Sequence, residues 1–348
     1  MCVLLQNEGR ANGCGLHLLH EVLSVAGRLL KKKSDSFAEI FAVPKKLTYL
    51  LAVLAMLFWG ISFVWTTIVF EYLEPIGTVF IRLVISSLLL LGGLAALGRL
   101  QRIRREDWKL LLLSSVFNPF LYFLGESFGV KYTTPTVSAV MISLIPVVTP
   151  VAAFFLLRER LSRLNILGLL VSFGGIGIMM AGQRASGESN LTGLLCLLFA
   201  VGTAIGYSIT LKKLASRYDA FSIVAWGNLT GVFLFLPFVL IFDMDSLMNV
   251  KPDARLITSI LLLAVFCSSL AFVFYAIAMR ELGVSRSAVF TNFIPAFTAL
   301  FSWFLIGETI GIYKIGGIVM VVFGVFMTQI DHHRLLDRFA VKKKGGDH

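Results

Sequence analysis

The chain has 348 residues, of which 57% are hydrophobic and 15% are charged. Soluble domains average about half apolar and about a quarter charged residues, because polar side chains must cover their surface. This composition excludes a soluble enzyme and indicates a protein that spans a membrane several times. The formal net charge of +11 does not indicate nucleic-acid binding, since the basic residues lie in short clusters between apolar runs.

Residues 1–47 precede the first long apolar run. They show no recognisable secretory signal, because no basic region precedes a short apolar run with a cleavage site. Leucine and valine recur at helical spacing over residues 16–30, and three lysines follow at positions 31–33. This pattern predicts either an amphipathic helix on the membrane surface or an extension without fixed structure, and the sequence leaves both open.

Ten apolar runs follow, separated by short connections that contain Pro, Gly, Ser and Asp. Each run is about long enough to cross a bilayer core, which needs about 20 apolar residues in a helix. The predicted fold class is therefore an all-α membrane protein with ten transmembrane helices. The runs cover residues 48–69, 76–98, 110–130, 135–157, 164–182, 191–211, 221–242, 256–279, 284–306 and 312–330.

The basic residues alternate between the two sides of this predicted bundle. The N-terminal segment, the even-numbered loops and the basic tail over residues 331–348 hold most of the 31 Lys and Arg residues, whereas the odd-numbered loops hold five. Lys and Arg accumulate in the cytoplasmic loops of membrane proteins. We therefore predict that both termini lie in the cytoplasm and, for a bacterial cell, that the protein lies in the cell (inner) membrane.

The segments 48–182 and 191–330 look like two copies of one five-span unit. When the chain is shifted by 149 residues, Lys131 aligns with Arg280, and Ile145–Pro146 aligns with Ile294–Pro295. Because five is an odd number, the second copy must enter the membrane in the opposite orientation. Inverted repeats predict a two-fold axis in the membrane plane and a site near the midplane between the halves.

Several motifs resemble the EamA domain of the drug/metabolite transporter superfamily. The first copy carries them at Ser138–Pro146 and Leu157–Leu161, and the second at Ser287–Pro295 and Gly307–Ile310. The resemblance covers about residues 50–330. It implies a ten-helix transporter that moves small organic metabolites, often outward, without a cofactor.

Two charged residues lie well inside predicted spans, where a charge is costly and is therefore a candidate for function. Glu126 is a candidate to bind a substrate amine or to carry a proton; the alternative is a structural acid partnered by Lys131. It aligns with Tyr275, so the second copy lacks this charge. For Arg82 we favour a side chain that snorkels to the outer interface, over a contact with a substrate carboxylate or with Glu126.

Three prolines are predicted to break helices near a central cavity: Pro119, Pro146 and Pro295. Paired breaks at corresponding positions of two repeats point to a midplane site, although a packing kink without a ligand is the alternative. Nearby amides and the aromatic residues of the spans either contact a ligand or serve packing. The predicted substrate site consists of Trp59, Asn118, Tyr122, Glu126, Tyr207, Tyr275 and Asn292.

The sequence thus predicts a secondary transporter, not an enzyme, that exports small metabolites such as amino acids by alternating access, with proton coupling through Glu126. A nucleotide-sugar or sugar-phosphate exchanger ranks lower, because only Arg82 is available to meet phosphate. A membrane receptor or an intramembrane enzyme ranks lower still. The expected partners are the lipid bilayer and a small-molecule substrate, with no nucleic acid. A homodimer is left open, and neither a metal site nor a disulfide is expected from the spacing of His and Cys.

Overall fold

The computed structural model describes residues 44–148, 163–186, 191–283, 287–288, 290–309 and 311–329. Every regular element in these residues is a helix. The predicted surface helix over residues 16–30, the motif Leu157–Leu161 and the tail 331–348 lie outside the described residues.

The described helices fall into two similar series. The first series contains α1 (Lys45–Val69), α2 (Pro75–Ala96), α3 (Trp108–Ser115), α4 (Tyr122–Tyr132), α5 (Pro135–Ile142) and α6 (Arg163–Ser186). The second contains α7 (Leu191–Ala215), α8 (Ala220–Phe238), α9 (Met244–Asn249), α10 (Ala254–Leu262), α11 (Ala271–Leu282), α12 (Ile294–Ile306) and α13 (Ile312–Gln329). Short π-helical segments join α3 to α4 (Val116–Leu121), α8 to α9 (Val239–Asp243) and α10 to α11 (Leu263–Leu270).

Among the residues that the structure describes, six helical stretches, one of them kinked at Asn118, are long and apolar enough to cross a membrane. They are Lys45–Val69, Pro75–Ala96, Arg105–Tyr132, Leu191–Ala215, Ala220–Asn249 and Ala254–Leu282. Four shorter apolar helices fall within the predicted fourth, fifth, ninth and tenth spans, at Pro135–Val148, Ile166–Met179, Phe290–Ile306 and Ile312–Met327. The protein is therefore an all-α membrane protein that crosses the bilayer several times, and the count of ten crossings stays a prediction.

Local sequence signals explain where several helices begin. The Asp219 side chain accepts a hydrogen bond from the backbone N–H of Ser222 and caps α8, and Asp253 caps α10 in the same way through Leu256. Such caps satisfy backbone donors that have no partner inside the helix. Proline stands in the first turn of α2, α5 and α12, where its missing N–H costs nothing.

Helical geometry is interrupted at or just before each of the three prolines that were expected to break helices. Asn118, which precedes Pro119, has extended backbone angles (φ −149°, ψ 122°) inside Val116–Leu121. Helix α5 ends at Ile142, a few residues before Pro146. A 3₁₀ turn over Phe290–Phe293 precedes α12, whose first turn contains Pro295.

Helices α6 and α13 pack backbone against backbone through glycines. A Cβ atom placed on Gly175 would lie 2.8 Å from the carbonyl oxygen of Gly317, and one on Gly317 would lie 2.7 Å from that of Gly175. A Cβ atom on Gly324 would lie 2.6 Å from the carbonyl oxygen of Gly168. Small residues allow membrane helices to approach this closely. Gly317 and Gly324 are the 149-residue counterparts of Gly168 and Gly175. The two contacts are therefore equivalent, with the two helices exchanged.

We predict that Gly317→Ala lowers the free energy of unfolding by about 1–3 kcal/mol, the usual cost of overpacking. The new methyl group would overlap the Met179 side chain and the backbone of Gly175. Gly316→Ala is the matched control, because no atom outside its own helix lies within 4 Å of a Cβ at that position. Thermal unfolding of both variants in detergent micelles checks this, and equal effects of the two substitutions would contradict the packing described.

Candidate functional site

A cavity of about 50 Å³ lies between the two series of helices. Its walls come from α1, α2, α4 and α5 of the first series and from α7, α11 and α12 of the second. A volume of this size holds a few water molecules, at about 10–15 Å³ for each. The cavity is thus central and narrow.

The structure places six of the seven predicted site residues in the wall of this cavity: Trp59, Asn118, Tyr122, Glu126, Tyr207 and Tyr275. The seventh, Asn292, does not line it, although its neighbour Thr291 does. The amide atoms of Asn292 are buried and have no hydrogen-bond partner among the described residues. None of the three prolines lines the cavity, but Ile145 and Ile294, which precede two of them, do. The role of these residues in binding stays a prediction.

The wall contains several pairs of residues that are 149 positions apart in the chain. One member of each pair comes from the first series of helices and the other from the second. The pairs are Phe123 with Phe272, Glu126 with Tyr275, Ile142 with Thr291, and Ile145 with Ile294. The cavity therefore lies where equivalent parts of the two halves face each other.

The Arg82 side chain is held inside the protein. It is 2% exposed, its Nε atom donates a hydrogen bond to the Ser268 hydroxyl (2.8 Å), and its guanidinium carbon lies 4.2 Å from the centre of the Phe123 ring. A guanidinium over an aromatic face gains a favourable cation–π interaction. The expectation that this side chain snorkels to the outer interface is therefore wrong, because internal partners retain it beside the cavity.

Glu126 faces the same cavity from α4. Its carboxylate accepts a hydrogen bond from the Tyr122 hydroxyl at 3.0 Å, one helical turn away. Lys131, the partner that the structural alternative gave to Glu126, forms its ion pair with Glu74 instead, so that pairing is wrong. A carboxylate has about four acceptor positions. Because the tyrosine occupies one, and no other described residue bonds to Glu126, acceptor capacity remains on the cavity side.

A buried network of hydrogen bonds holds Ser268, the residue to which Arg82 donates. The Asn228 amide on α8 donates to the hydroxyl of Ser86 (2.7 Å) and to the carbonyl oxygen of Ser268 (2.9 Å), and Ser86 shares a hydrogen bond with Ser269 (2.6 Å). This network fixes the residue that binds Arg82. The sequence reasoning missed Asn228, although an amide inside an apolar span is a signal that could have identified it.

Aromatic rings that touch one another form another part of the wall. The Trp59 ring lies 5.0 Å from the rings of both Phe272 and Tyr275, measured between centres. Phe272 also lies 6.4 Å from Tyr207 and 5.9 Å from Phe123. These distances and tilted arrangements are typical of favourable aromatic contacts. The site therefore combines one buried cation, one carboxylate and an aromatic surface.

Comparison with known proteins identifies the family. The model of the EamA-like transporter family matches residues 46–181 and, a second time, residues 191–330. The chain belongs to this family. Its two matched segments correspond to the two series of helices and to the two copies predicted from the sequence.

Similar proteins carry the same broad description. The chain is 27% identical over 313 residues to YetK of Bacillus subtilis, named as an uncharacterized transporter, with 89% of this chain and 91% of YetK covered. It is 25% identical to an uncharacterized transporter of Archaeoglobus fulgidus, with 82% and 99% covered. One solved crystal structure matches with a TM-score of 0.60 at 18% identity, covering 82% of this chain and 98% of the solved chain, which supports the fold.

We predict that Asn228→Ala lowers the free energy of unfolding by about 1–3 kcal/mol, because it leaves buried polar partners unsatisfied. Asn249→Ala is the matched control: its amide also donates to a backbone carbonyl, but on an exposed helix end, so we expect a change within about 0.5 kcal/mol. Thermal unfolding of both variants in detergent measures the difference. A stable Asn228→Ala variant would show that the network behind Arg82 contributes little.

Proposed function

We propose that this protein is a secondary transporter that exports small zwitterionic metabolites, amino acids among them, across the cell membrane by alternating access. The observation that carries the proposal is the presence of one buried guanidinium and one carboxylate in the wall of a single aromatic cavity. The outward direction rests on the resemblance to drug/metabolite transporters. Family membership and the names of the relatives support transport itself.

The two charges match the two ends of an amino acid. One of the five N–H groups of Arg82 is engaged with Ser268, which leaves others to bind the substrate carboxylate, in the two-point manner that guanidinium favours. Glu126 binds the substrate ammonium group, and the Trp59 and Tyr275 rings contact the remainder of the molecule. A zwitterion brings one counter-charge to each buried group, which offsets the cost of holding both charges at membrane depth.

Alternating access requires two halves that can move around a central site. Two observations support ten helices arranged as two inverted five-helix repeats: the reciprocal glycine contacts between α6 and α13, and the 149-residue pairs in the cavity wall. Both are the relations that a two-fold axis between the halves would create. A cavity of about 50 Å³ fits a closed intermediate that must widen on one side to admit a substrate.

Proton coupling follows from competition for one carboxylate. Glu126 binds either the substrate ammonium or a proton, but not both. When the cavity is open to the outside, a proton binds Glu126 and displaces the substrate. When the cavity is open to the cytoplasm, a new substrate binds Glu126 and displaces that proton. One proton therefore moves inward for each substrate that moves outward. A sugar phosphate ranks lower as a substrate, because its negative charge would meet the Glu126 carboxylate as well as Arg82.

We expect proteoliposomes that contain the full chain to transport labelled amino acids, and an imposed pH gradient to accelerate this flux. Unlabelled zwitterions should compete for transport at least about tenfold better than the same compounds without the amino or the carboxyl group, since a hydrogen bond to a charged group is worth about 1.5–3 kcal/mol. Equal competition by all three classes would contradict the two-charge site. Absence of flux across the whole panel would contradict transport of amino acids.

Glu126→Gln should transport the same substrates slowly and should lose its response to the pH gradient. Asp245→Asn is the matched control, because Asp245 is an acid on the exposed helix α9 and should leave flux unchanged. If Glu126→Gln transports at the wild-type rate with unchanged pH dependence, coupling through Glu126 is ruled out, while the transport proposal stands.

A further inference from the structure

A cluster of hydrogen bonds joins the two halves at one end of the bundle. The Asp107 carboxylate, just before α3, accepts a hydrogen bond from the Tyr218 hydroxyl at 2.6 Å and also binds Arg217. Both partners lie in the turn between α7 and α8. Asp107 is 4% exposed, so water competes little for this pair. We call Asp107 and Tyr218 the first Tyr–Asp pair.

Gln101 adds three further bonds at the same end. Its side-chain oxygen accepts from the backbone N–H of Asp219 (2.8 Å), and its own backbone N–H donates to the Ser222 hydroxyl (2.9 Å). Its carbonyl oxygen accepts from the Trp226 indole N–H (2.9 Å). These three hydrogen bonds link the connection between α2 and α3 to the first two turns of α8.

A second cluster lies at the opposite end of α2, about 33 Å away by the rise of a 22-residue helix. The Tyr72 hydroxyl donates to the Asp253 carboxylate at 2.8 Å, and Arg255 binds Glu71 through two bonds of 2.8 and 3.2 Å. The pKa of Asp253 is held below its ordinary value, first by the backbone N–H of Leu256 and then by the Tyr72 hydroxyl. Asp253 is therefore ionised at neutral pH. Tyr72 and Asp253 form the second Tyr–Asp pair.

The two pairs occupy equivalent places in the two halves. Tyr72 lies three residues after the end of α1, and Tyr218 lies three residues after the end of α7. Asp107 immediately precedes α3, and Asp253 immediately precedes α10. In each pair the tyrosine comes from one half and the aspartate from the other. The same contact is thus built twice, once at each end, with the roles of the halves exchanged.

We infer that the two Tyr–Asp pairs are the gates of the transporter, one at each mouth of the central cavity, and that they open in turn. The inference rests on the proposed alternating-access function. Separating the halves at one end must break the pair at that end and can leave the other intact. Both pairs are formed here, and the cavity between the halves has a volume of about 50 Å³.

The two gates differ in strength. The first pair is buried, whereas Asp253 is exposed and water screens the second pair. The second gate is therefore the easier one to open. By the charge pattern of the loops, the first gate lies on the cytoplasmic side and the second on the outer side.

Hydrogen–deuterium exchange of the full chain in detergent micelles tests the gates without a substrate. We expect Tyr218→Phe to accelerate amide exchange about tenfold in residues 99–107 and 215–224, and to slow it in residues 70–78 and 250–257. Tyr72→Phe should do the reverse. A hydrogen bond to a charged group contributes about this factor to an equilibrium. Tyr313→Phe, at an exposed position of α13, is the control and should change neither end.

Asp107→Asn and Asp253→Asn provide a second pair of variants, should a phenylalanine variant fail to fold. The inference is overturned if one variant accelerates amide exchange at both ends, or at neither end. Gates that open in turn require faster exchange at the end that carries the substitution and slower exchange at the other end. Exchange and flux separate the two proposals. Reciprocal exchange without any flux supports the gates and contradicts amino-acid transport, whereas flux with independent ends contradicts the gates alone.

Discussion

Placing Arg82 and Glu126 in one buried cavity is the constraint on which the rest of the site depends. A charge at membrane depth costs about 2.5–3.5 kcal/mol on insertion scales, so each needs compensation from its neighbours. Arg82 obtains it from Ser268 and the Phe123 ring, and Glu126 obtains it from Tyr122. Three separate helical segments, α2, α4 and Leu263–Leu270, must therefore meet at this point, beside the cavity.

Three polar residues in and around the site come from places where the helices depart from regular geometry. Asn118 lies in the π-helical segment Val116–Leu121, and Ser268 and Ser269 lie in Leu263–Leu270. Such segments are frequent at functional sites, because they redirect side chains that a regular α-helix would turn elsewhere. In this protein they aim serine and asparagine at the centre of the bundle, between spans that otherwise present apolar side chains to lipid.

Much of the fold could be predicted from apolar runs, charge counts and a 149-residue shift, and six residues of the cavity wall could be predicted from their types inside the apolar runs. Glu126 stands out because a charge inside a membrane span is costly, and Tyr207 and Tyr275 because they carry a polar group within an apolar run. The direction of the Arg82 side chain could not be predicted, because it depends on Ser268, a residue 186 positions away in the chain. The amide of Asn228 inside an apolar span was a usable signal, but its contacts with Ser86 and Ser268 could not be predicted, since contacts between different spans leave no local pattern.

The glycine contact between α6 and α13 also limits how the chain can change over time. In the cavity wall the halves differ, since Glu126 corresponds to Tyr275 and Ile142 to Thr291. Along the seam formed by Gly168, Gly175, Gly317 and Gly324, a larger side chain at any of the last three positions would strike the backbone of the other helix. Neither copy can therefore replace its glycines at the seam independently of the other copy. The sequence similarity between the two halves should therefore persist longest at this seam, whereas the residues of the cavity wall can change and bind new substrates.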